Sequence, residues 1–137
     1  MPRSRKCDVL SSKAARELGL DFEISILERA LEWDPDDLVV LDSIGHAYTA
    51  RGLNQKGLEV DLRLTRLDPK NPTFAYNLGC SLSLLGRLDE SIAAIERAID
   101  LGFRDPRLLA TDPDLKAVRT HARFPSLVRR AVKLGAS

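Results

Sequence analysis

The chain has 137 residues, 44% of them apolar, which is enough for one packed domain and too much for a disordered chain. Its 21 basic and 20 acidic residues leave a net charge of +1, so total charge supplies no pull towards nucleic acid or an anionic membrane. Two cysteines, Cys7 and Cys80, are too few for a disulfide scaffold. The charge is nevertheless unevenly spread: +3 over residues 1–20, −7 over 21–50, −1 over 51–114 and +6 over 115–137. An acidic middle and a basic tail of this kind can attract each other or two different partners. No apolar run approaches the roughly 20 residues of a membrane span. The basic start, Met1 to Lys6, leads into Ser11, Ser12, Lys13 and Arg16 rather than into a secretory apolar region. The expectation is a cytoplasmic protein, from a bacterial cell.

In chain order, residues 5–17 form a weakly periodic helix (Val9, Leu10, Ala14, Leu18). A second helix follows with Leu27, Ala30 and Trp33, and Asp34-Pro35 closes it. Leu38, Leu41, Ile44, Ala47 and Tyr48 recur at three and four, one face of a helix that Gly52 ends. Leu58 and Leu62, with Val60, Leu64 and Leu67, give the next helix, and Asp68-Pro69 ends it because the residue before proline is pushed out of the helical region. Phe74, Leu78 and Leu82 lie on one helix before Gly86. Ile92, Ile95, Ala98, Ile99 and Leu101 lie on another, with Asp89 as its expected N-cap. No segment alternates with period two, so strands are not expected.

The marks repeat at an offset of 34 residues. Asp34-Pro35 returns as Asp68-Pro69, Ile44-Gly45 as Leu78-Gly79, and Gly52 as Gly86. Ala30, Leu64 and Ala98 share one phase; Trp33, Leu67 and Leu101 share another. This pattern resembles the tetratricopeptide repeat, a 34-residue helix–turn–helix unit. Leu41, Ile44, Gly45, Tyr48, Gly57, Leu64 and Pro69 match its signature in one unit, and Leu78, Gly79, Leu82, Ser91, Ile95 and Ala98 in the next. Asp61 departs from it, at a position that is usually large and apolar: a slightly rotated helix, an exposed edge or a functional polar contact would each account for it. The third unit has Gly102 and Phe103 in place of a closing proline.

The resemblance implies an all-α, right-handed α-solenoid of about three helix pairs, in units at about 4–37, 38–71 and 72–105. A capping segment over 106–137 completes a single domain. The tail resembles the closing segment of many bacterial proteins of this family. Leu115, Val118, Phe124, Leu127, Val128 and Ala131 would seal the last repeat, and Lys116, Arg119, Arg123, Arg129, Arg130 and Lys133 would face water.

No catalytic, metal or cofactor site is expected. The two histidines and two cysteines lack ligand spacing, although His46 and Cys80 lie one repeat apart. No glycine loop suits a phosphate, and the acids around Pro35 lack the spacing of a Ca²⁺ loop. By resemblance, the concave face would carry Asp42, His46 and Thr49 from one unit, beside Val39 and Ser43. From the next unit it would carry Thr73, Tyr76, Asn77, Cys80 and Ser83. Such a face suits a peptide or helix of a protein partner, with Tyr76 and Asn77 as its main contacts. The clamp that relatives use for acidic chaperone tails is not expected: Asp42 and His46 stand where a lysine and an asparagine would be needed, and only Asn77 fits. A neutral or basic ligand follows.

The expected function is therefore that of a non-catalytic adaptor or scaffold. Two alternatives are homo-oligomeric assembly through the repeat ends, with Trp33 and Phe103 as anchors, and a chaperone for a secreted client. Membranes are not expected as partners, and the basic tail has too few aromatics to favour nucleic acid.

Overall fold

The computed structural model describes residues 5–135, with side chains from Ser12 onward. The expected contributions of Cys7, Val9 and Leu10 therefore lie outside the described side chains. Seven α-helices follow in order: α1 (Arg5–Trp33), α2 (Leu38–Ala50), α3 (Asn54–Leu67), α4 (Pro72–Leu84), α5 (Leu88–Leu101), α6 (Pro106–Thr111) and α7 (Phe124–Gly135). Two 3-10 turns, Pro113–Leu115 and Val118–Thr120, join α6 to α7. There is no strand among the described residues.

The helix ends are set by local chemistry repeated at the 34-residue offset. Asp37 and Asn71 occupy equivalent places, and each side chain accepts two backbone N–H groups of the helix that follows. Pro72 sits in the first turn of α4, where a missing N–H costs nothing. At the other end, Leu53 N–H donates to the Tyr48 carbonyl and Arg87 N–H to the Leu82 carbonyl, the same six-to-one closure one repeat apart. Gly52 and Gly86 take φ of +83° and +74° there, a region that a Cβ disfavours.

Two complete antiparallel pairs, α2/α3 and α4/α5, stack in register, with α3 lying between α2 and α4. The close approach within each pair rests on a glycine. A Cβ on Gly79 would stand 2.7 Å from Ile95 Cγ1, and one on Gly45 would stand 3.2 Å from Val60 Cγ1. Ser91 donates to the Gly79 carbonyl at 2.7 Å, so the α4/α5 crossing is satisfied as well as tight.

The all-α solenoid is as expected, but three details differ. Residues 5–33 are one continuous helix rather than a hairpin, because no proline or capping side chain interrupts the run. A lone glycine costs a helix only about 1 kcal/mol, so Gly19 does not break it. Asp89 does not cap α5; it lies in the first turn, and its carboxylate meets His121 Nε2 at 2.7 Å. Phe103 is not an exposed anchor at a repeat end, since its ring stacks on Tyr76 with centroids 4.3 Å apart and planes 7° apart.

The closing segment seals the stack. Leu109, Leu115, Val118, Leu127 and Ala131 are buried against Ile92, Ile95 and Ile99. The basic tail pairs with α5 rather than with the acidic 21–50 region: Arg123 meets Glu96, Arg130 meets Asp100, and His121 meets Asp89. Arg119 donates to the carbonyls of Leu109 and Asp112, which ties the two ends of the closing loop together. Two of the six cations behind the +6 charge, Arg123 and Arg130, are thus paired with acids of α5.

Candidate functional site

The concave side is lined by the first helix of each pair, but the chain covers part of it. The expected face divides into two groups. Asp42, His46, Thr49, Thr73 and Asn77 remain exposed or half-buried. Tyr76, Cys80 and Ser83 are buried beneath the closing segment, which corrects their expected place on an open groove. The Tyr76 hydroxyl donates to Asp112 Oδ2 at 2.5 Å, the Cys80 thiol lies 3.9 Å from the same oxygen, and Ser83 Oγ accepts from Val118 N–H at 3.2 Å. The physical reason is the one that requires a cap: the last repeat leaves an apolar face, and the segment that covers it runs across α4.

What stays open is a cavity of about 200 Å³ between α2, α3, α4 and the turn at 112–114. Gly45, His46 and Thr49 form one wall, and Tyr76, Asn77, Cys80 and Ser81 form the opposite one. Asp61 closes the floor, and Asp112 and Asp114 form the rim. His46 and Cys80, one repeat apart in sequence, do line the same cavity. Among the described residues no group of three histidine, cysteine or acidic side chains is arranged to hold a metal ion.

The cavity is acidic. Asp61 is only 7% exposed, and its Oδ2 accepts from Ser81 Oγ at 2.5 Å. Of the three accounts of its departure from the repeat signature, the exposed edge is thereby excluded: Asp61 is a buried polar contact between neighbouring repeats. Burial pushes its carboxyl up to about 6, opposed by the Ser81 hydrogen bond and by His46. Asp114 is also raised, by burial first and by Asp112 second. Burial, followed by the nearby Asp112 carboxylate, pushes the Cys80 thiol far above its ordinary value, which disfavours the thiolate. His46 Nε2 lies 3.4 Å from Asp42 at the cavity mouth. Asp61, Asp112 and Asp114 were not among the expected groove residues. The departure of Asp61 from the repeat signature is the only sequence signal for any of them.

The Asp61 environment predicts a pH-dependent penalty. Its folded carboxyl holds a proton up to about pH 6, whereas an unfolded aspartate releases it near 3.9. Between these values the folded chain binds more protons, so the contribution of Asp61 to stability falls as pH rises. Asp61→Asn keeps an acceptor for Ser81 and removes the buried charge. It is expected to be about 2–3 kcal/mol more stable than the parent at pH 7.5, with the difference closing by about pH 4. Urea denaturation of both proteins across that range measures it; a constant difference would show that burial does not raise the Asp61 carboxyl.

Stacked antiparallel helix pairs with a capped end and a side cavity define a helical-repeat solenoid. The tetratricopeptide repeat family matches residues 72–101, and that stretch, α4 with α5, is a tetratricopeptide repeat. Solved structures of MamA share the fold. One superposes with a TM-score of 0.70 at 19% identity, covering 90% of this chain and 73% of that one. Another gives 0.66 at 22%, covering 86% and 68%. Among curated proteins, Protein CTR9 homolog of Arabidopsis thaliana is 40% identical over 52 residues, 38% of this chain and 5% of that protein. A chloroplastic protein of Arabidopsis thaliana is 30% identical over 56 residues, 41% of this chain and 17% of that protein. The chain therefore spans only a small part of the curated relatives it matches. Both are plant proteins and lend no support to a bacterial source. Among the described residues no helix is long and apolar enough to cross a membrane. Repeat and fold together support a protein-interaction or scaffold role.

Proposed function

We propose that the chain is a non-catalytic adaptor that holds a segment of a partner protein on its concave face, with a lysine or arginine side chain entering the acidic cavity. The observation that carries this reading is the convergence of Asp61, Asp112 and Asp114 on one cavity of about 200 Å³. A cation there meets carboxylates that are already partly desolvated, so the attraction is stronger than at the surface. Asn77, half-buried at the wall, can donate to and accept from the backbone of the segment. Thr49 supplies a further hydroxyl. An acidic ligand would be repelled by the same groups.

An array of peptides with lysine, arginine, neutral or glutamate centres tests this reading. Basic peptides are expected to bind best, with affinity falling as salt rises. Asp114→Lys is expected to weaken them at least about tenfold, which is 1.4 kcal/mol, while leaving the melting temperature near that of the parent. Equal binding of glutamate peptides, or unchanged binding by Asp114→Lys, would refute it.

A further inference from the structure

The N-terminal helix lacks a neighbour that the next repeat possesses. α3 lies between α2 and α4, whereas among the described residues the one extensive helix–helix contact of α1 is with α2. Ile24, Leu27 and Leu31 of α1 face α2. On the opposite side Leu18, Phe22, Ile26 and Trp33 form one helical stripe, and they are 71%, 67%, 51% and 91% exposed. The equivalent place in α3 shows what belongs there. Val60 lies one repeat after Ile26 and rests against Gly45 of the preceding helix α2. Ile26 has the same phase, and among the described residues no helix lies before α1. The segment expected to supply that helix, residues 5–17, continues straight out of α1 instead of folding back.

We infer that the first repeat is completed between two copies of this chain, with the 5–17 arm of each α1 lying antiparallel across the 18–33 stripe of the other. The charges of α1 select both the partner and its direction. Residues 5–16 hold four basic side chains and one acidic, and residues 17–33 hold five acidic and one basic; of those acids Glu17 and Asp21 also meet Arg51 and Glu28 accepts from the Tyr48 hydroxyl, which leaves Glu23 and Glu32 for the partner's arm. Antiparallel pairing sets the basic arm of each copy along the acidic half of the other; parallel pairing sets like against like. The arrangement is isologous, so it closes at a dimer. Gly19 falls at the crossing point, and no other atom lies within 4 Å of where its Cβ would stand, which leaves room for the two helices to approach. The exchange is a domain swap in which a helical hairpin that is open in one chain closes between two. The two concave cavities lie outside the pairing surface, so this inference stands apart from the ligand reading above.

Sedimentation equilibrium over a dilution series tests it, with two variants and one cross-link. The parent chain is expected to be a dimer. Phe22→Lys is expected to raise the dimer dissociation constant about 100-fold or more, with helix content unchanged because residue 22 is exposed. Six Gly/Ser residues inserted after Leu18 would let the arm fold back on its own chain and are expected to give a helical monomer. In a Cys7→Ser background, a mixture of Ser12→Cys and Ile26→Cys chains is expected to form the mixed disulfide, and Ser12→Cys alone none. A parent that is monomeric at every concentration, a dimer unaffected by Phe22→Lys or by the insertion, or cross-linking of Ser12→Cys with itself would each overturn the inference. Should Phe22→Lys lose helix, the insertion and the cross-link decide.

Discussion

Truncation of Tyr76 to alanine is expected to destabilise the chain by about 3–5 kcal/mol, in the range of large aromatic deletions from a core. Tyr76 is 4% exposed, its ring is stacked on Phe103, and its hydroxyl donates to Asp112. Alanine leaves a cavity between α4 and the closing segment and removes the hydrogen-bond donor to the Asp112 carboxylate. A fall of on the order of 10–20 °C in melting temperature follows for a domain of this size. Tyr76→Phe keeps the ring and loses only the hydroxyl, so a cost of about 1–2 kcal/mol is expected. Thermal melts of the two variants separate packing from hydrogen bonding. If Tyr76→Ala melted like the parent, the closing segment would not be seated on α4. The same substitution on an open groove would have left the fold intact, so the experiment also decides which face this residue serves.

Gly79→Leu is the second large effect. Its Cβ alone would stand 2.7 Å from Ile95 Cγ1 and 3.4 Å from the Ser91 carbonyl oxygen. Ile95 is fully buried and cannot swing away, and Ser91 is held by its hydrogen bond to the Gly79 carbonyl. The α4/α5 pair must therefore separate, at about 3 kcal/mol or more. Gly45→Leu is expected to cost less, because its nearest neighbour is a half-buried valine at 3.2 Å. Chemical denaturation of both variants checks the order. A Gly79→Leu protein as stable as the parent would mean that the helices pack more loosely than described.

The two effects bear on function through the same element. α4 supplies Tyr76 to the cap, Asn77 and Ser81 to the cavity, and Gly79 to the crossing with α5. A change that separates α4 from α5 or from the closing segment also moves the rim residues Asp112 and Asp114. Variants that probe binding are best placed at Asp114 or Thr49, which hold neither interface together.

The helices and their order were legible because they depend on nearest neighbours in sequence. Apolar residues at three and four and glycines at the turns are local signals, and their return at 34 residues specified a stack. The tight crossings could be read from Gly45 and Gly79 for the same reason. The partition of the concave face could not. Whether Tyr76, Cys80 and Ser83 meet a ligand or the chain's own tail depends on where residues 112–118 come to rest, more than 30 positions away, and no periodicity encodes that docking. Nor could the continuity of α1, where a weak break at Gly19 competed with unbroken helical propensity on both sides. Asp61 shows the boundary between the two kinds of information: its sequence marks it as an exception to the repeat, but only the burial that raises its carboxyl and the Ser81 hydroxyl from the next helix make it the floor of a cavity.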